Sequence, residues 1–492
     1  MLLDTSYKAF KTKAKRSDLG KELAKLQRRM LASEAKISLI IMVEGWESSG
    51  RGRVMLDIVR ELDQRYVHAY PDNGDSHTWP FMHALWDGLP PYGETTIFSR
   101  SVYVELFGTL GLEDELLDDY AEIYHNAAKT LYDDHVILVK FFLDVSQETQ
   151  QKRIEKAYAD PYLHLYVGPR DIKENSRYQL MRQHYDRILD KTNFDFSPWH
   201  IINAEDSDSA GAEALTILLD EVTKGIDRIE GQVPEVKRTY VEEKHILDEI
   251  PTEGSMSRED YDDQLEDLQE QAADLQLQLK ARNIPTVIAF EGMDAGGKGG
   301  SIKRLTRLMD PRFTFVSTTA APKQFENAHN YLWRFYQAFP QYGNMTIFDR
   351  SWYGRVLVER IEGFARPDEW ERAYQEINQM EEELYRHNCL VLKYYIHISK
   401  DEQKARFEAR MADTDKHYKI TDEDWRNRDK WDRYWEATNE MLVRTSTPYA
   451  PWQVVPGDNK RFARIFILKD FIKRAEEALE NYSPWSLAKL SN

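Results

Sequence analysis

The chain has 492 residues, 41% of them hydrophobic and 30% charged, and carries a formal net charge of −18. That length admits two or more domains with substantial cores, and the acidic balance argues against general nucleic-acid binding, so a polyanionic ligand would have to meet a local basic patch. The single cysteine, Cys389, rules out an internal disulfide; with no signal-peptide pattern and no run of the ~18–20 apolar residues that span a membrane, the expectation is a soluble cytoplasmic protein with no membrane partner.

Residues 1–36 are mixed in charge, with a helical spacing of Leu19, Leu23, Leu26 and Met30. Residues 37–43, ISLIIMV, read as a buried strand that runs into a glycine-bearing loop, EGWESSGRGR, at 44–53. Further on stand PPYGETTIFSRSVY from Pro90 and SQETQQKR from Ser146. Residues 226–257 hold Gly231, Pro234, Pro251 and Gly254 in acidic surroundings and read as an exposed linker. An acidic helix with Leu265, Leu268, Leu275 and Leu279 then leads into a second domain. The expected division is a first domain over 1–225, the linker, and a second domain over 258–492.

The second domain opens on the most informative stretch, TVIAFEGMDAGGKGGSIKRLTRLMD, at 286–310. A β-branched apolar run ends at Phe290, glycines crowd positions 292, 296, 297, 299 and 300, and Ile302, Leu305 and Leu308 follow at helical spacing. Strand, glycine loop and helix form the context in which G-x-x-x-x-G-K marks a phosphate-binding loop. Gly292, Gly296, Gly297 and Gly299 let the backbone wrap so that successive N–H groups point at one anion, the helix offers its positive end, and Lys298 adds a mobile charge. The position after Lys298 should be Ser or Thr to ligate Mg²⁺, but it is Gly299, and Asp294 sits inside the loop. A carboxylate beside phosphate needs a bridging cation, so Asp294 reads as a metal ligand in place of the hydroxyl. A third apolar strand, 346–348, is closed by Asp349-Arg350-Ser351, where a second Mg²⁺-side acid is expected; the plainer reading of Asp349 is a helix cap.

Lys303, Arg304 and Arg307 follow the loop and could line a track for a polyanion or simply be solvated. Arg406 and Arg410 are spaced i, i+4 on one helix face, the arrangement of residues that act together on a phosphate. The charged segment 411–433 reads as a lid that closes cations over phosphates, with Trp425, Trp431 and Trp435 as packing. His387, His397 and His417 have no ligand-like spacing.

The two halves repeat. Gly45 aligns with Gly292 at an offset of 247 (292 − 45), Arg100 with Arg350 at 250 (350 − 100), and Ser146 with Ser399 at 253 (399 − 146). Matches in order at nearly constant offset indicate a duplicated domain. The first copy departs where the chemistry is expected: Arg51 for Lys298, Glu47 for Asp294 and Ser99 for Asp349. It reads as a catalytically weakened copy whose Arg51 could still hold phosphate.

EGMDAGGKGGSIKRL, IFDRSWYGRVLVER, SKDEQKARFEAR and APWQVVPGDNKRFARI together resemble the polyphosphate kinase 2 family, and the degenerate copy ahead of them resembles its two-domain members. The resemblance implies an α/β fold of tandem duplicated P-loop, thymidylate-kinase-like domains, each a parallel sheet flanked by helices with a helical lid. It implies Mg²⁺-dependent transfer between inorganic polyphosphate and a nucleotide, with AMP the expected acceptor in two-domain members, and homo-oligomers. The family's loop acid and lysine fall on Asp294 and Lys298, its second acid and adjoining arginine on Asp349 and Arg350, and a lid cation on Arg410. The competing readings are a polyphosphate-dependent ADP kinase, a nucleotide kinase that uses ATP, and a polyphosphate- or nucleotide-binding protein without catalysis.

Overall fold

The computed structural model describes residues 2–3, 10–70, 82–238, 244–413, 420 and 422–481. Ten strands form two sheets. The first holds β1 (Ser38–Gly45), β2 (Val67–Tyr70), β3 (Thr95–Ser99), β4 (Val136–Asp144) and β5 (Trp199–Asn203). The second holds β6 (Thr286–Gly292), β7 (Thr314–Thr318), β8 (Met345–Asp349), β9 (Leu390–His397) and β10 (Trp452–Pro456). The orders are β2-β3-β1-β4-β5 and, read in the matching direction, β7-β8-β6-β9-β10. Every pairing is parallel. The duplication seen in sequence is therefore a duplication of topology.

Strand composition follows position. β4 and β9 are buried along their whole length and β1 and β6 up to their last residue, which is why they read as continuous apolar runs. The edge strands β2 and β7 leave their middle residues exposed. Helices Arg16–Ala32 and Ser207–Glu230 pack together beside the first sheet, and Arg258–Ala281 with Lys460–Glu480 repeat that pairing in the second half. The glycine loops leave β1 and β6 at their carboxyl ends, where parallel α/β sheets place their ligands.

The expected linker differs from the observed one at its start. The Ser207–Glu230 helix continues past residue 225 because Leu218, Val222, Ile226 and Ile229 keep one apolar face, all buried. Beyond residue 243 the linker stays largely exposed, as expected, but is anchored at points. Leu247 is buried and its N–H donates to Asn439 Oδ1 at 2.9 Å, while Asp458 N–H reaches Thr252 O at 3.1 Å.

The halves also share a core. One cluster of buried apolar residues runs from Leu39 and Phe98 through Trp86 and Tyr336 to Phe348 and Trp352. Trp86 and Tyr336, equivalent positions of the repeat (336 − 86 = 250), stack with ring centroids 4.4 Å apart and an interplanar angle of 10°.

Candidate active site

The loop after β6 is shaped by close approach. Gly292 has φ +143° and a Cβ there would stand 2.6 Å from Ile396 O on β9, so only glycine fits. Ala295 at φ +59° and Gly297 at φ +113° complete the wrap, and the Lys298–Leu305 helix starts immediately after. Lys298 is buried, with Nζ donating to Gly292 O at 2.6 Å. Burial and the Arg350 guanidinium push its pKa down, while Asp294, Asp349 and Glu291 push it up, which places both predicted acids within electrostatic reach of the ammonium.

Asp349 ends β8, paired in register with Phe290 of β6. Its Oδ2 lies 3.6 Å from where a Gly299 Cβ would stand. A serine at 299 would thus meet Asp349, and glycine leaves that space open. Asp294 Oδ1 accepts from Arg350 Nη2 at 2.9 Å and Oδ2 from Asn427 Nδ2 at 2.8 Å. Arg350 holds φ +65°, an uncommon state for a residue with a side chain, and the surroundings enforce it. Its N–H donates to Phe290 O at 3.1 Å, and the N–H and hydroxyl of Ser351 donate to buried Glu291 at 2.7 and 2.8 Å. Gly292, Gly296, Gly297, Gly299, Asp294, Lys298, Asp349 and Arg350 therefore gather in one place.

Arg406 has a different place from the expected one on phosphate. Its Nη1 donates to Ala295 O and Gly296 O at 2.9 and 2.8 Å, its Nη2 to Gly457 O and Asp458 O at 2.6 and 3.0 Å, and its Nε to Glu402 at 2.6 Å. All five donors are used on protein, so Arg406 clasps the outside of the loop. Arg410, one turn on, lies within electrostatic reach of Lys460, whose pKa is pushed down by burial and by Arg406, Arg464 and Arg410. Arg464 Nη2 lies 3.3 Å from where a Gly300 Cβ would stand. Lys460 and Arg464, on the Lys460–Glu480 helix, thus extend the site along the loop's helix. Of the expected track, Lys303 is exposed, Arg304 bends back to Gly300 O at 3.3 Å, and Arg307 lies past the end of the helix.

Asp294 also lines a cleft of about 180 Å³. Arg334 and Arg350 give it charge, and Leu357, Phe364, Trp431 and Tyr434 give it apolar and aromatic wall. The lid region enters here as the Asp422–Asp429 helix, which brings Asn427 to Asp294. Lys416 and Lys419 of the expected lid lie outside the described residues. Trp425 packs edge-on against Phe407, and Trp431 stacks on Trp435. Asn427, Arg334 and Phe364 carried no motif of their own in the sequence, and Lys460 and Arg464 stood within the APWQVVPGDNKRFARI block without being singled out. Among the described residues, no group of three or more His, Cys, Asp or Glu side chains gathers as a metal-binding set.

The first-half loop is filled differently. Glu47 meets Arg51 at 2.9 Å, Arg100 at 2.5 Å and Arg170 at 3.1 Å, and Arg51 also donates to Gly45 O at 3.1 Å. Burial acts to raise the Glu47 pKa, but the three guanidiniums outweigh it and hold the carboxylate ionised.

The sequence matches the family described as polyphosphate kinase 2 twice, over residues 6–228 and 255–482. The chain belongs to the polyphosphate kinase 2 family. Within it, the chain is 34% identical over 462 residues to a polyphosphate:AMP phosphotransferase of Pseudomonas aeruginosa, covering 91% of this chain and 92% of that one. An ADP-polyphosphate phosphotransferase of the same species is 36% identical over 247 residues, covering 49% of this chain and 81% of its own. A solved polyphosphate kinase 2 structure from Pseudomonas aeruginosa superposes with a TM-score of 0.80 at 32% identity, covering 94% of this chain and 95% of that one. The tandem polyphosphate kinase 2 architecture thus extends across both proteins.

Proposed function

We propose that the second half transfers the terminal phosphoryl group of inorganic polyphosphate to AMP, giving ADP, in a Mg²⁺-dependent reaction. The observation that carries this reading is the position of Asp294, Lys298, Asp349 and Arg350 between two unlike surfaces. On one side is the cation row Arg410, Lys460 and Arg464, suited to a long phosphate chain. On the other is a cleft with arginines and an aromatic wall, suited to a nucleotide. The full-length similarity to a polyphosphate:AMP phosphotransferase supports AMP as acceptor.

The donor set fits Mg²⁺: two hard carboxylates, Asp294 and Asp349, both lie within electrostatic reach of Lys298, Asp349 beside the space that Gly299 leaves open, and with phosphate oxygens and water they would hold the ion. Mg²⁺ held there supplies neutralisation of phosphoryl charge. The protein's own part is positioning. An ionised oxygen of the AMP phosphate attacks the terminal phosphorus, a new P–O bond forms, the anhydride P–O bond breaks, and the shortened polyphosphate leaves as an anion. The attacking oxygen carries no proton at neutral pH, so no general base is required. Lys298 moves from the loop carbonyl onto the migrating group, Arg350 balances it from the cleft side, and the loop N–H groups fix the line of attack. Asn427 closes the lid on Asp294 and limits water access. We place the enzyme in the cytosol: its only thiol, Cys389, is buried and pushed up by burial, and no described helix is long and apolar enough to cross a membrane.

The test offers AMP and ADP separately with Mg²⁺ and long-chain polyphosphate and separates the products. ADP formed from AMP, with little ATP from ADP, is the expected result. Rapid ATP formation from ADP would transfer the assignment to the ADP-type activity, and activity only with added ATP would end the polyphosphate reading.

A further inference from the structure

The first half reaches the acceptor cleft from behind. Residues 319–334 connect β7 to the short Trp333–Tyr336 helix, and Thr319, Ala320, Ala321, Pro322 and Arg334 of this segment line the cleft. From the cleft side the segment is held by Arg334, whose Nη1 donates to Ala320 O at 3.0 Å. On its far side lies a second cavity between the halves, which shares Ala321, Pro322, Arg334, Glu359 and Phe364 with the cleft. The segment is therefore a thin wall with a cavity on each side. A wall of that kind is as rigid as its bracing.

The bracing comes from the first half. Tyr92 donates its N–H to Ala328 O at 2.7 Å, a main-chain bond from one half to the other. Its hydroxyl donates to Asp134 Oδ2 at 2.7 Å. The other oxygen of Asp134 accepts from Arg372 Nη2 at 2.8 Å, and Arg372 is fixed in turn by Glu376 at 2.8 Å. Arg372 stands on the Pro367–Arg386 helix of the second half, so Asp134 joins Tyr92 to the body that the wall must stay in register with. On that body Arg355 covers the ring of Tyr331 at 4.3 Å and pairs with Glu359 at 2.9 Å, which ties the wall to a cleft residue. Asp134 and Arg372 are mostly buried, with side-chain exposures of 10% and 20%, so their ion pair is shielded from salt more than a surface pair would be.

We infer that Tyr92 and Asp134 are positioning residues for acceptor binding: the catalytically degenerate half supports the cleft wall and thereby sets the affinity of the active half for its nucleotide. This rests on the reading of the cleft as the nucleotide site. It gives the first half a role that needs no chemistry in its own loop, and it separates nucleotide affinity from polyphosphate affinity, because Arg410, Lys460 and Arg464 do not line the cleft.

The experiment measures kcat and both KM values for full-length Asp134→Asn, Asp134→Glu, Tyr92→Phe and Arg334→Ala. The expected result for Asp134→Asn is a rise in the nucleotide KM of about three- to tenfold, the scale of one ordinary hydrogen bond lost from the wall's bracing. The polyphosphate KM and kcat stay at wild-type values, and Asp134→Glu recovers part of the loss. Tyr92→Phe, which keeps the ion pair and the fold, gives a smaller shift in the same direction. Unchanged nucleotide KM in Asp134→Asn and Tyr92→Phe would overturn the inference, as would equal rises in both KM values. Arg334→Ala tests the underlying reading separately: if it too leaves the nucleotide KM unchanged, the cleft itself is misassigned.

Discussion

In both halves a buried strand ends in a glycine loop, the next helix starts at a left-handed glycine, and a strained arginine follows the third strand, Arg100 at φ +68° and Arg350 at φ +65°. In both, a buried glutamate accepts from the next serine, Glu44 from Ser101 and Glu291 from Ser351. Arg153 clasps Ser48 O, Ser49 O, Ala204 O and Glu205 O as Arg406 clasps its own loop. Within the loops, the differences fall on the groups that would face a ligand. In the second half Lys298 rests on a carbonyl from which a phosphate could draw it, and Asp349 stands beside Gly299. In the first half Glu47 is held by three arginines and Ser99 replaces the second acid. The comparison shows that the frame of the loop is the same in both halves while the side chains placed to meet a ligand differ.

The sharpest way to break this comparison is a pair of loop substitutions. Lys298→Ala is expected to lower kcat by about 10²–10³-fold or more, the scale of one lost electrostatic donor in a transition state. Arg51→Ala should leave turnover unchanged; an equal loss in both would make the first loop catalytic. Next in size is the buried lysine on the fourth strand of each half. Lys393 bonds Glu381 at 2.7 Å with both side chains fully buried, whereas Lys140 donates to Thr192 O and lies over the rings of Phe194 and Trp199, with Ala128 where Glu381 would stand. Lys393→Met should cost about 3–5 kcal/mol because it strands a buried carboxylate. Lys140→Met should be neutral or stabilising, since burial already drives that amine toward its neutral form. Denaturant unfolding of the two variants decides the matter.

Arg406→Ala and Arg153→Ala should each cost about 2–4 kcal/mol through unsatisfied loop carbonyls. On the proposed assignment of substrate to the second loop, only Arg406→Ala should also lower activity; a matched loss of activity in Arg153→Ala would contradict that division of labour. The smallest effect expected is pH-dependent and sits between the halves. Burial pushes Glu383 up to about 7, against the donors Tyr336 O–H and Met82 N–H. A carboxyl raised in the folded state contributes stability that is complete below its unfolded pKa, near 4.5, and is lost as pH rises through about 7. Glu383→Gln should therefore flatten stability across that window and exceed the wild type by about 1–3 kcal/mol at pH 8. A wild-type slope retained in the variant would remove Glu383 as its source.

The loop was legible because its signal is local: β-branched strand, glycines at fixed offsets and helical periodicity lie within one stretch, and the backbone has few ways to satisfy all three. Asp349 and Arg350 were legible through the repeat, which showed one acid kept and its counterpart lost. Arg406 was misread because i, i+4 spacing reports that two side chains share a face, not what that face meets. Its partners at 295, 296, 457 and 458 come together only in the folded sheet. The start of the linker was misread because Gly231, Pro234 and the acidic run were weighed over the apolar period through Ile226 and Ile229. Asn427, Lys460 and Arg464 act on the site through tertiary placement, and no spacing within their own segments announces it.

The stack of Trp86 on Tyr336 joins equivalent positions of the repeat, so the contact between the halves has the form of a two-fold dimer interface carried within one chain. In a true homodimer every substitution appears twice, and losing a catalytic lysine silences both sites. Once the copies are joined by residues 231–257, each position can change alone, while the tether keeps the local concentration of the partner high whatever the protein's abundance. A fused pair can thus let one copy change without diluting the other.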